Sequence, residues 1–383
     1  MKFFGYQRQN GEVGIRNWVG VISVLDVANP ITRTICQNVS GTIPITTLFV
    51  RGQYGRDLEI AYDTLAGMGR NANVGAVLLI GLERTSTEAV AERIRHSGKP
   101  VESIMLQDIG GSIAAIGHGI RKACNLVIEV SRIRRTSAPI SALSIGVECG
   151  GSDSTSGLSA NPAIGYVADQ IVAEGGRVVI SETAEFMGAE HVFARRAINE
   201  QVRKAFLDRI NQHEQEAIAR GIDIRGTNPV PDNIRGGLST IEEKSLGAMV
   251  KAGSSPLMGV LEYSETVSGK GMYFMATPAP AVESMTGLAA GGCQLILFAT
   301  GVGNTIGNMV APTIKITGNT NTAANLSDDI DVDVSGILEK GEKLSEAGQR
   351  LFEHTLEVAS GTNTKSEVLN QRETAISRFE PTI

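Results

Sequence analysis

Cysteine and histidine, the side chains that most often bind transition metals, are scarce in this chain of 383 residues. The four cysteines are Cys36, Cys124, Cys149 and Cys293, and no two of them form a C-x-x-C pair. This spacing excludes a disulfide framework and a recognisable structural zinc site, and such thiols are typical of a reducing cytoplasm. Because none of the five histidines has a partner at metal-ligand spacing, a histidine-centred metal site is disfavoured as well.

An excess of basic charge and long apolar runs are also missing. The formal net charge is -6 and the isoelectric point is near 5.6, so the chain lacks the basic surface that nucleic-acid binding needs. The longest apolar stretch, residues 74–82, is far shorter than the roughly 20 residues of a membrane-spanning helix. Residues 1–10 lack the apolar core of a secretion signal. We therefore expect a cytoplasmic metabolic protein with no nucleic-acid or membrane partner.

Three common nucleotide and hydrolase motifs are absent. The sequence contains no G-x-x-x-x-G-K-[ST], no strand-linked G-x-G-x-x-G and no G-x-S-x-G, so it indicates neither a nucleotide fold nor a serine hydrolase. Residues 301–307 (GVGNTIG) resemble a phosphate-binding loop in composition only. The chemistry has to be sought in other polar segments.

What the chain does contain is a regular alternation of apolar runs with amphipathic segments. That rhythm predicts an α/β fold with mostly parallel sheets. A basic connector at residues 132–138 divides it into two consecutive Rossmann-like units that face a central cleft, residues 1–135 and residues 136–383. The further elements we predict are a strand over residues 126–130, a long helix over residues 190–220 and a C-terminal helix over residues 338–361.

Polar residues cluster directly after the predicted strands. In open parallel sheets, ligands bind beyond the carboxyl ends of the strands, so this pattern locates a site. The clearest case is the loop of residues 148–157 (ECGGSDSTSG), which places a thiol, two carboxylates and several hydroxyls between a strand and a helix. Its two glycines permit close backbone approach, and a helix N-terminus suits an anion. Other polar residues at strand ends are Asn29, Arg56, Arg84, Glu182 and Glu185.

Several of these residues also have a purely structural interpretation. Arg56 and Arg84 are either solvated surface charges or part of a set that binds carboxylate or phosphate. Cys149 is either a small buried hydrophobe or a ligand. Lys244 lies in a capped first helical turn and is kept as a candidate base, whereas the position of Lys251, in a helix's last turn before a glycine, favours a structural role.

Seven segments, in the same order along the chain, resemble the altronate/galactarate dehydratase family. They are residues 11–17 (GEVGIRN), 146–153 (GVECGGSD), 159–162 (SANP), 181–190 (SETAEFMGAE), 243–247 (EKSLG), 251–255 (KAGSS) and 292–301 (GCQLILFATG). The resemblance is specific for the family but not for the substrate. It implies a lyase that carries out β-elimination next to a carboxylate and is generally linked to iron. The family includes sugar-acid dehydratases and the large subunit of sulfolactate sulfo-lyase.

The chain departs from the family pattern at three cysteines. Judged from the flanking residues, these fall on Val27, Arg56 and Arg84, so a thiolate-held iron centre cannot form from those positions. Cys149 remains as the candidate ligand for a divalent metal (Fe²⁺ or Mg²⁺). Because the other ligands would be nearby carboxylates, such a site would have more hard oxygen ligands than a site built from thiolates. The family's full-length dehydratases also begin with a small additional domain. Its absence here implies a separate small partner subunit.

The resemblance implies three chemical roles: a base, a cation for the enediolate, and an acid or Lewis acid at the leaving group. We assign proton abstraction to Lys244 or Glu182, and the leaving group or a divalent metal to Glu148, Asp153 and Cys149. The residues expected to bind the hydroxy-acid substrate are Arg16, Asn17, Asn29, Arg56, Arg84, Gly150, Gly151 and Ser152.

Two other functions fit the same residues. A non-catalytic or regulatory relative would bind a sugar acid but lack the metal centre, in keeping with the loss of three cysteines. A metal-free lyase or hydrolase of another small anion would explain the added arginines equally well. In each case we expect the chain to form a homo-oligomer, as cytoplasmic enzymes of this kind commonly do.

Overall fold

Parallel strands dominate the computed structural model, which describes residues 1–48 and 50–379. Its strands, in chain order, are β1 (Lys2–Gln7), β2 (Val13–Gly14), β3 (Trp18–Ser23), β4 (Thr42–Ile45), β5 (Val74–Gly81), β6 (Val101–Met105), β7 (Thr136–Pro139), β8 (Ser144–Cys149), β9 (Arg177–Ile180), β10 (Leu257–Leu261), β11 (Gly271–Met275), β12 (Leu295–Ala299), β13 (Thr313–Thr317) and β14 (Val332–Asp333). They form three sheets, ordered β2-β1-β7, β4-β3-β5-β6 and β10-β11-β9-β8-β12-β13-β14. The second and third sheets are parallel throughout, which confirms the predicted α/β class.

Helices connect most of the successive parallel strands, as parallel pairing requires. The α-helices are α1 (Asn29–Asn38), α2 (Gly55–Arg70), α3 (Arg84–Arg95), α4 (Leu106–Ile109), α5 (Ser112–Val130), α6 (Asn161–Ala173), α7 (Glu190–Ala194), α8 (Glu200–Ile218), α9 (Ile224–Thr227), α10 (Pro231–Arg235), α11 (Ile241–Met249), α12 (Ala281–Ala290), α13 (Thr320–Asn325), α14 (Gly336–Glu339), α15 (Leu344–Ala359) and α16 (Lys365–Val368). Short 3₁₀ turns occur at Asp26–Ala28, Ile140–Ala142, Thr183–Phe186 and Val250–Ala252, and a π-helical turn at Ser156–Ala160. None of the described helices is long and apolar enough to cross a membrane.

The seven-stranded sheet has its topological switch point at β8. The chain leaves β8 to form β9 on one side, and after β10 and β11 it returns to form β12 on the other side. Every residue of β8 is buried, as expected for a parallel strand covered on both faces. The loops after β8, β9 and β12 therefore begin at one crevice, which is where open α/β sheets bind ligands.

The four-stranded sheet is joined to the larger one by packing and by buried amides. Helices α2 and α12 are in contact, and one apolar cluster contains residues of both sheets. Asn73 donates hydrogen bonds to the carbonyl oxygens of Gln294 and Val310, both at 2.8 Å. Strand β1 pairs antiparallel with β7, so the first strand of the chain lies beside the connector. The division at residue 135 stays a prediction.

Three predicted elements are wrong in detail. Residues 126–130 form the end of α5 rather than a strand, because Leu126 and Val130 are four residues apart and both face the core. The predicted helix over residues 190–220 is broken between α7 and α8, where the Asn199 side chain caps α8 and Ala197 bridges to β10. The predicted C-terminal helix divides into α14 and α15 around a glycine with positive φ.

Arg16, predicted to bind substrate, holds the C-terminal part of the chain in place. Its guanidinium forms a bidentate ion pair with Glu367 at 2.7 and 2.8 Å, and both side chains are nearly buried. It also donates to the carbonyl oxygens of Ile15, Val358 and Thr362. These five bonds match the five N–H groups of a guanidinium, so no donor remains for a substrate.

Removing this guanidinium is expected to destabilise the fold. Arg16→Ala leaves Glu367 buried without its partner, and such a change costs about 3–5 kcal/mol of unfolding free energy. Urea denaturation measures the loss. The control is Arg95→Ala, since Arg95 pairs with Glu88 on the surface, where a pair contributes about 1 kcal/mol or less. Equal losses for the two variants would contradict the structural role of Arg16.

Candidate active site

Two buried glutamates lie at the carboxyl ends of neighbouring strands. Glu148 is near the end of β8, Glu182 follows β9, and at most 1% of either residue is exposed. Glu182 has φ 69° and ψ 72°, in the left-handed region that a non-glycine residue rarely adopts. Strain of this kind concentrates at functional sites, where the surrounding structure enforces it.

A buried lysine pairs with one of these carboxylates. Lys251 is fully buried in the 3₁₀ turn Val250–Ala252, and its Nζ donates to Glu182 Oε2 at 2.7 Å. The same ammonium lies 3.1 Å from Cys149 Sγ, and the backbone N–H of Cys149 donates to Glu182 Oε2 at 3.2 Å. One carboxylate oxygen therefore ties the end of β8 to the turn after α11.

Hydroxyl groups surround the second carboxylate. Ser181 and Ser284 donate to Glu148 Oε2 at 2.6 and 2.9 Å, and their own oxygens are 2.9 Å apart. Thr277 donates to Ser284 and accepts from the backbone N–H of Glu182, so the network connects both glutamates. Glu148 Oε1 is buried and has no hydrogen-bond partner among the described residues.

The environment sets the protonation state of this cluster. Burial, followed by the charge of Glu182, raises the pKa of Glu148 well above its ordinary value of 4.5. Burial also raises the pKa of the Cys149 thiol to about 12. Burial raises the pKa of Glu182 as well, while the Lys251 ammonium opposes that rise. For Lys251, burial lowers the pKa, but the acidic groups beside it outweigh that effect and raise the pKa overall. With Cys149 a neutral thiol, the 2.7 Å contact between Lys251 and Glu182 is the ion pair of the cluster, and Glu148 is protonated.

A second ion pair lies in front of the buried one and borders open space. Lys244 Nζ is 3.0 Å from Glu185 Oε1, and it donates to Asn228 and Asn233 at 2.8 and 3.1 Å. Helix α11 presents Lys244 here because Thr240 caps its N-terminus, as the capping interpretation predicted. The other oxygen of Glu185, Oε2, is buried without a described partner.

Two cavities meet at this second pair. One, of about 280 Å³, is lined by Lys244 together with Ser152, Asp153 and Asn161 of the loop after β8. The other, of about 470 Å³, is lined by Lys244 and Glu185. Small-molecule sites typically have volumes of roughly 300–1,000 Å³. Lys244 and Glu185 thus form an ion pair that a ligand in the larger cavity can reach.

The predicted loop after β8 is held by its own side chains. Asp153 accepts from Thr155, Ser156 and Asn319, so both of its carboxylate oxygens have partners. Its neighbour Ser152 is buried, and the Ser152 carbonyl accepts from Asn233. The two glycines pack on the loop after β12, since Gly150 N–H donates to Ala299 and the Gly151 carbonyl accepts from Gly301 and Val302. Asp153 and Ser152 nevertheless border the smaller cavity.

Most of the predicted first-unit residues make structural contacts elsewhere. Asn17 accepts from Arg8 and donates to a backbone carbonyl. Asn29 exchanges hydrogen bonds with the backbone of Thr47. Arg84 is exposed and pairs with Asp108. Arg56 contacts the second unit, where its guanidinium is 3.6 Å from Glu262.

Five residues of the site were not predicted from the sequence: Lys251, Ser181, Ser284, Asn228 and Asn233. The sequence offered a signal for two of them, since Ser181 lies in the matching segment 181–190 and Lys251 in the matching segment 251–255. The position of Lys251 before a helix-terminating glycine was interpreted correctly, because Gly253 has φ 66°. The sequence pattern does not indicate that the Lys251 side chain points into the core rather than to solvent.

Comparison with known proteins assigns the family. Residues 140–382 match the domain family described as "D-galactarate/Altronate dehydratase, C-terminal", and residues 5–131 match "D-galactarate dehydratase/Altronate hydrolase, second domain". The chain belongs to the galactarate/altronate dehydratase family. This confirms the resemblance found in the sequence.

Three relatives show how far the similarity of this family member extends. The chain is 40% identical to the (2R)-sulfolactate sulfo-lyase subunit beta of Chromohalobacter salexigens, over 98% of this chain and 97% of the relative. It is 33% identical to the altronate dehydratase of Bacillus subtilis, over 100% of this chain and 78% of that protein. The altronate dehydratase of Escherichia coli is 32% identical, over 99% of this chain and 78% of that protein.

Members of the dehydratase family are metal-dependent in general, but the surroundings of Cys149 do not fit a metal ion. The Lys251 ammonium occupies the position between Cys149 Sγ and Glu182 Oε2, and it would repel a second cation. The raised pKa of Cys149 also keeps sulfur as a thiol, which is a poor ligand. No described group of three His, Cys, Asp or Glu side chains is arranged to hold a metal.

The protonated state of Glu148 predicts a pH-dependent stability. The unfolded chain releases this proton near pH 4.5, whereas the folded chain keeps it to higher pH. The contribution of Glu148 to the unfolding free energy is therefore complete below pH 4.5 and falls as the pH rises through the folded-state pKa.

Glu148→Gln removes this titration while keeping the side-chain shape. We expect the unfolding free energy of the wild type minus that of Glu148→Gln to fall by up to about 1.4 kcal/mol per pH unit above pH 5. Urea denaturation at several pH values from 5 to 8 provides the slope. A difference that does not change with pH would contradict a protonated Glu148.

Proposed function

We propose that this chain catalyses β-elimination from a small hydroxy-carboxylate, with Glu185 and Lys244 as the reacting groups. The observation that carries the proposal is the free oxygen of Glu185, which is buried beside an ammonium at the wall of a ligand-sized cavity. Desolvating a carboxylate oxygen without a partner costs free energy, so such an atom is maintained where a ligand or a proton uses it.

The geometry supports a division of labour between the two residues. Glu185 Oε2 takes the proton from the carbon next to the substrate carboxylate, since a carboxylate with a free lone pair is a suitable base. Lys244 stabilises the negative charge of the enediolate, and Asn228 and Asn233 hold its ammonium in place. The electron pair then forms the carbon–carbon double bond and expels the group on the neighbouring carbon, which leaves as sulfite from sulfolactate or, from a sugar acid, as hydroxide that takes up a proton from solvent in the cavity.

This assignment revises some roles predicted from the sequence and keeps others. Glu182 was a candidate base, but it is buried and its Oε2 accepts from Lys251 and from the Cys149 N–H, which suits a positioning role. Lys244 stays at the reacting centre, as a cation rather than a base. Asp153, at the smaller cavity, remains the candidate for the leaving-group side, whereas Glu148 is fully buried and lines neither cavity, which suits a positioning role.

The substrate class follows from the family, and the relatives suggest which members to test. Two of them are named altronate dehydratases, while the relative matched over 97% of its length is named as a sulfolactate sulfo-lyase subunit. That name denotes a subunit of a larger enzyme, which supports the proposal of a separate small partner chain. We also propose that the protein is a cytoplasmic homo-oligomer.

Purified protein supplied with D-altronate, D-galactarate and (2R)-sulfolactate tests the proposal. Each substrate is assayed with Fe²⁺, with Mg²⁺ and with a chelator, in the presence and absence of the small partner chain, and the 2-keto product or the released sulfite is measured. We expect elimination from at least one substrate. Turnover of none of them under any condition would contradict the lyase assignment, and binding without turnover would favour a regulatory relative.

Two substitutions test the roles of the reacting groups on the substrate that turns over. Glu185→Gln is expected to lower kcat about 10²–10⁴-fold by removing the base. Lys244→Met should lower it about 10²–10³-fold by removing the enediolate cation. The control is Lys204→Met, because Lys204 pairs with Asp208 on the exposed face of α8. A kcat within a few-fold of the wild type for either site variant would refute its role.

A further inference from the structure

The smaller cavity, of about 280 Å³, adjoins the reacting pair on one side. Lys244 lines both cavities, whereas Glu185 lines the larger one. The walls of the smaller cavity come from the loop after β8, the π-helical turn that follows this loop, and one side of α11. A ligand whose reacting carbons lie at the ion pair can therefore extend past Lys244 into the smaller cavity.

Two glycines allow the walls of this cavity to approach closely. A Cβ atom at Gly157 would lie 3.0 Å from the Cα atom of Gly247, so only glycine fits there without a shift of the backbone. The π-helical turn Ser156–Ala160 then leads directly into α6, whose first residue is Asn161. Such turns are rare and frequently occur at functional sites. Asn161 is thus placed at the cavity wall by local geometry that a regular helix lacks.

The Asn161 side chain has an oxygen without a partner. The residue is 1% exposed, its Nδ2 donates to the Gly247 carbonyl at 2.9 Å, and its Oδ1 has no hydrogen-bond partner among the described residues. Because a carbonyl oxygen can only accept, it has to face the Nδ2 end of the amide, and this fixes Oδ1 as the free atom. Burying an acceptor without a partner costs free energy, so such an atom is maintained where a ligand donates to it.

The surroundings of Asn161 indicate which ligand suits the cavity. Asp153 and Lys244 also line it, but both oxygens of Asp153 accept hydrogen bonds within the chain, and the Lys244 ammonium contacts Glu185 and two amide oxygens. Leu158 and Leu246 add exposed apolar surface. A ligand here has to supply a neutral hydrogen-bond donor together with C–H groups. The hydroxylated chain of a sugar acid offers both.

We propose that the smaller cavity binds the hydroxylated end of a sugar acid, and that Asn161 Oδ1 accepts a hydrogen bond from one of its hydroxyl groups. The inference rests on the proposed function and narrows the substrate class to hydroxy-carboxylates with hydroxyl groups beyond the two reacting carbons. Sulfolactate ends at its leaving group and has no such hydroxyl. Asn161 is thus a specificity-determining residue that contacts the substrate away from the reacting bond.

Substrates that lack single hydroxyl groups test this contact in the wild type. The parent substrate is D-altronate or D-galactarate, whichever turns over faster, and each analogue lacks one hydroxyl beyond the reacting carbons. We expect kcat/KM to be about 10–100-fold lower for one analogue, because the Asn161 oxygen stays unpaired when that analogue binds. Values within a few-fold of the parent for every analogue would refute the hydrogen bond.

Asn161→Ala separates substrate recognition from damage to the fold. The ratio of kcat/KM between the parent and the discriminated analogue should fall from about 10–100 to near one, because the variant has no oxygen to leave unpaired. A substitution that only loosens the structure lowers both values and keeps their ratio. Asn308→Ala is the matched control, since Asn308 is also buried but its amide bonds to backbone groups at both ends and lines neither cavity.

The outcomes distinguish this inference from the proposed function. Turnover of sulfolactate but of neither sugar acid overturns the inference and leaves the lyase proposal standing. If no substrate turns over, dissociation constants of the same sugar acids and analogues, measured by calorimetry, replace kcat/KM. A ratio that Asn161→Ala abolishes and Asn308→Ala keeps then supports the subsite alone. A ratio that Asn161→Ala keeps, or no binding of either sugar acid, overturns the inference.

Discussion

The buried ion pair between Lys251 and Glu182 is the interaction on which the rest of the site depends. An ammonium removed from water is tolerated only next to an opposite charge, and here that charge comes from a residue in a strained left-handed conformation. The pair fixes the end of β9, the start of the loop after β8 through Cys149, and the turn that follows α11. Burial, followed by the charge of Glu182, raises the pKa of the neighbouring Glu148.

This buried pair determines where the accessible chemistry can lie. Glu182 and Glu185 are three residues apart in one turn after β9, so anchoring the first toward Lys251 leaves the second to face the cavity. Helix α11 supplies Lys244 to the outer pair, and the turn after it supplies Lys251 to the inner one. Each lysine thus has one glutamate, and only the outer pair can be reached by a ligand.

Much of the fold could be predicted from the sequence because local pattern and burial agree there. The apolar runs of β3, β5, β8 and β12 are buried along almost their whole length, so periodicity alone identifies them. Strand β11 and the β1–β7 pair were missed. Strands β1 and β7 are largely exposed and more than 120 residues apart, so the local pattern carries little information about their pairing. Strand β11 is a short buried run next to β10, and its five residues give too little periodicity to identify it.

The site was predictable where its geometry follows from strand order. Glu148 and Glu182 were predicted because residues at the ends of adjacent parallel strands meet. The directions of the Arg16 and Lys251 side chains could not be predicted for a common reason, since a long cationic side chain can face solvent, ligand or core. Only contacts made by residues more than 60 positions away, such as Glu367 and Glu182, decide between these orientations.

The most direct test of this account is a double-mutant cycle on the buried pair. The unfolding free energies of the wild type, Lys251→Met, Glu182→Gln and the double variant are measured by urea denaturation at one pH. We expect each single variant to lose about 3–5 kcal/mol. The double variant should lose less than the sum of the two by about 2 kcal/mol or more, as coupled neighbours do. Losses that add to within about 0.5 kcal/mol would show that the two residues act independently, and would contradict the central role of the pair.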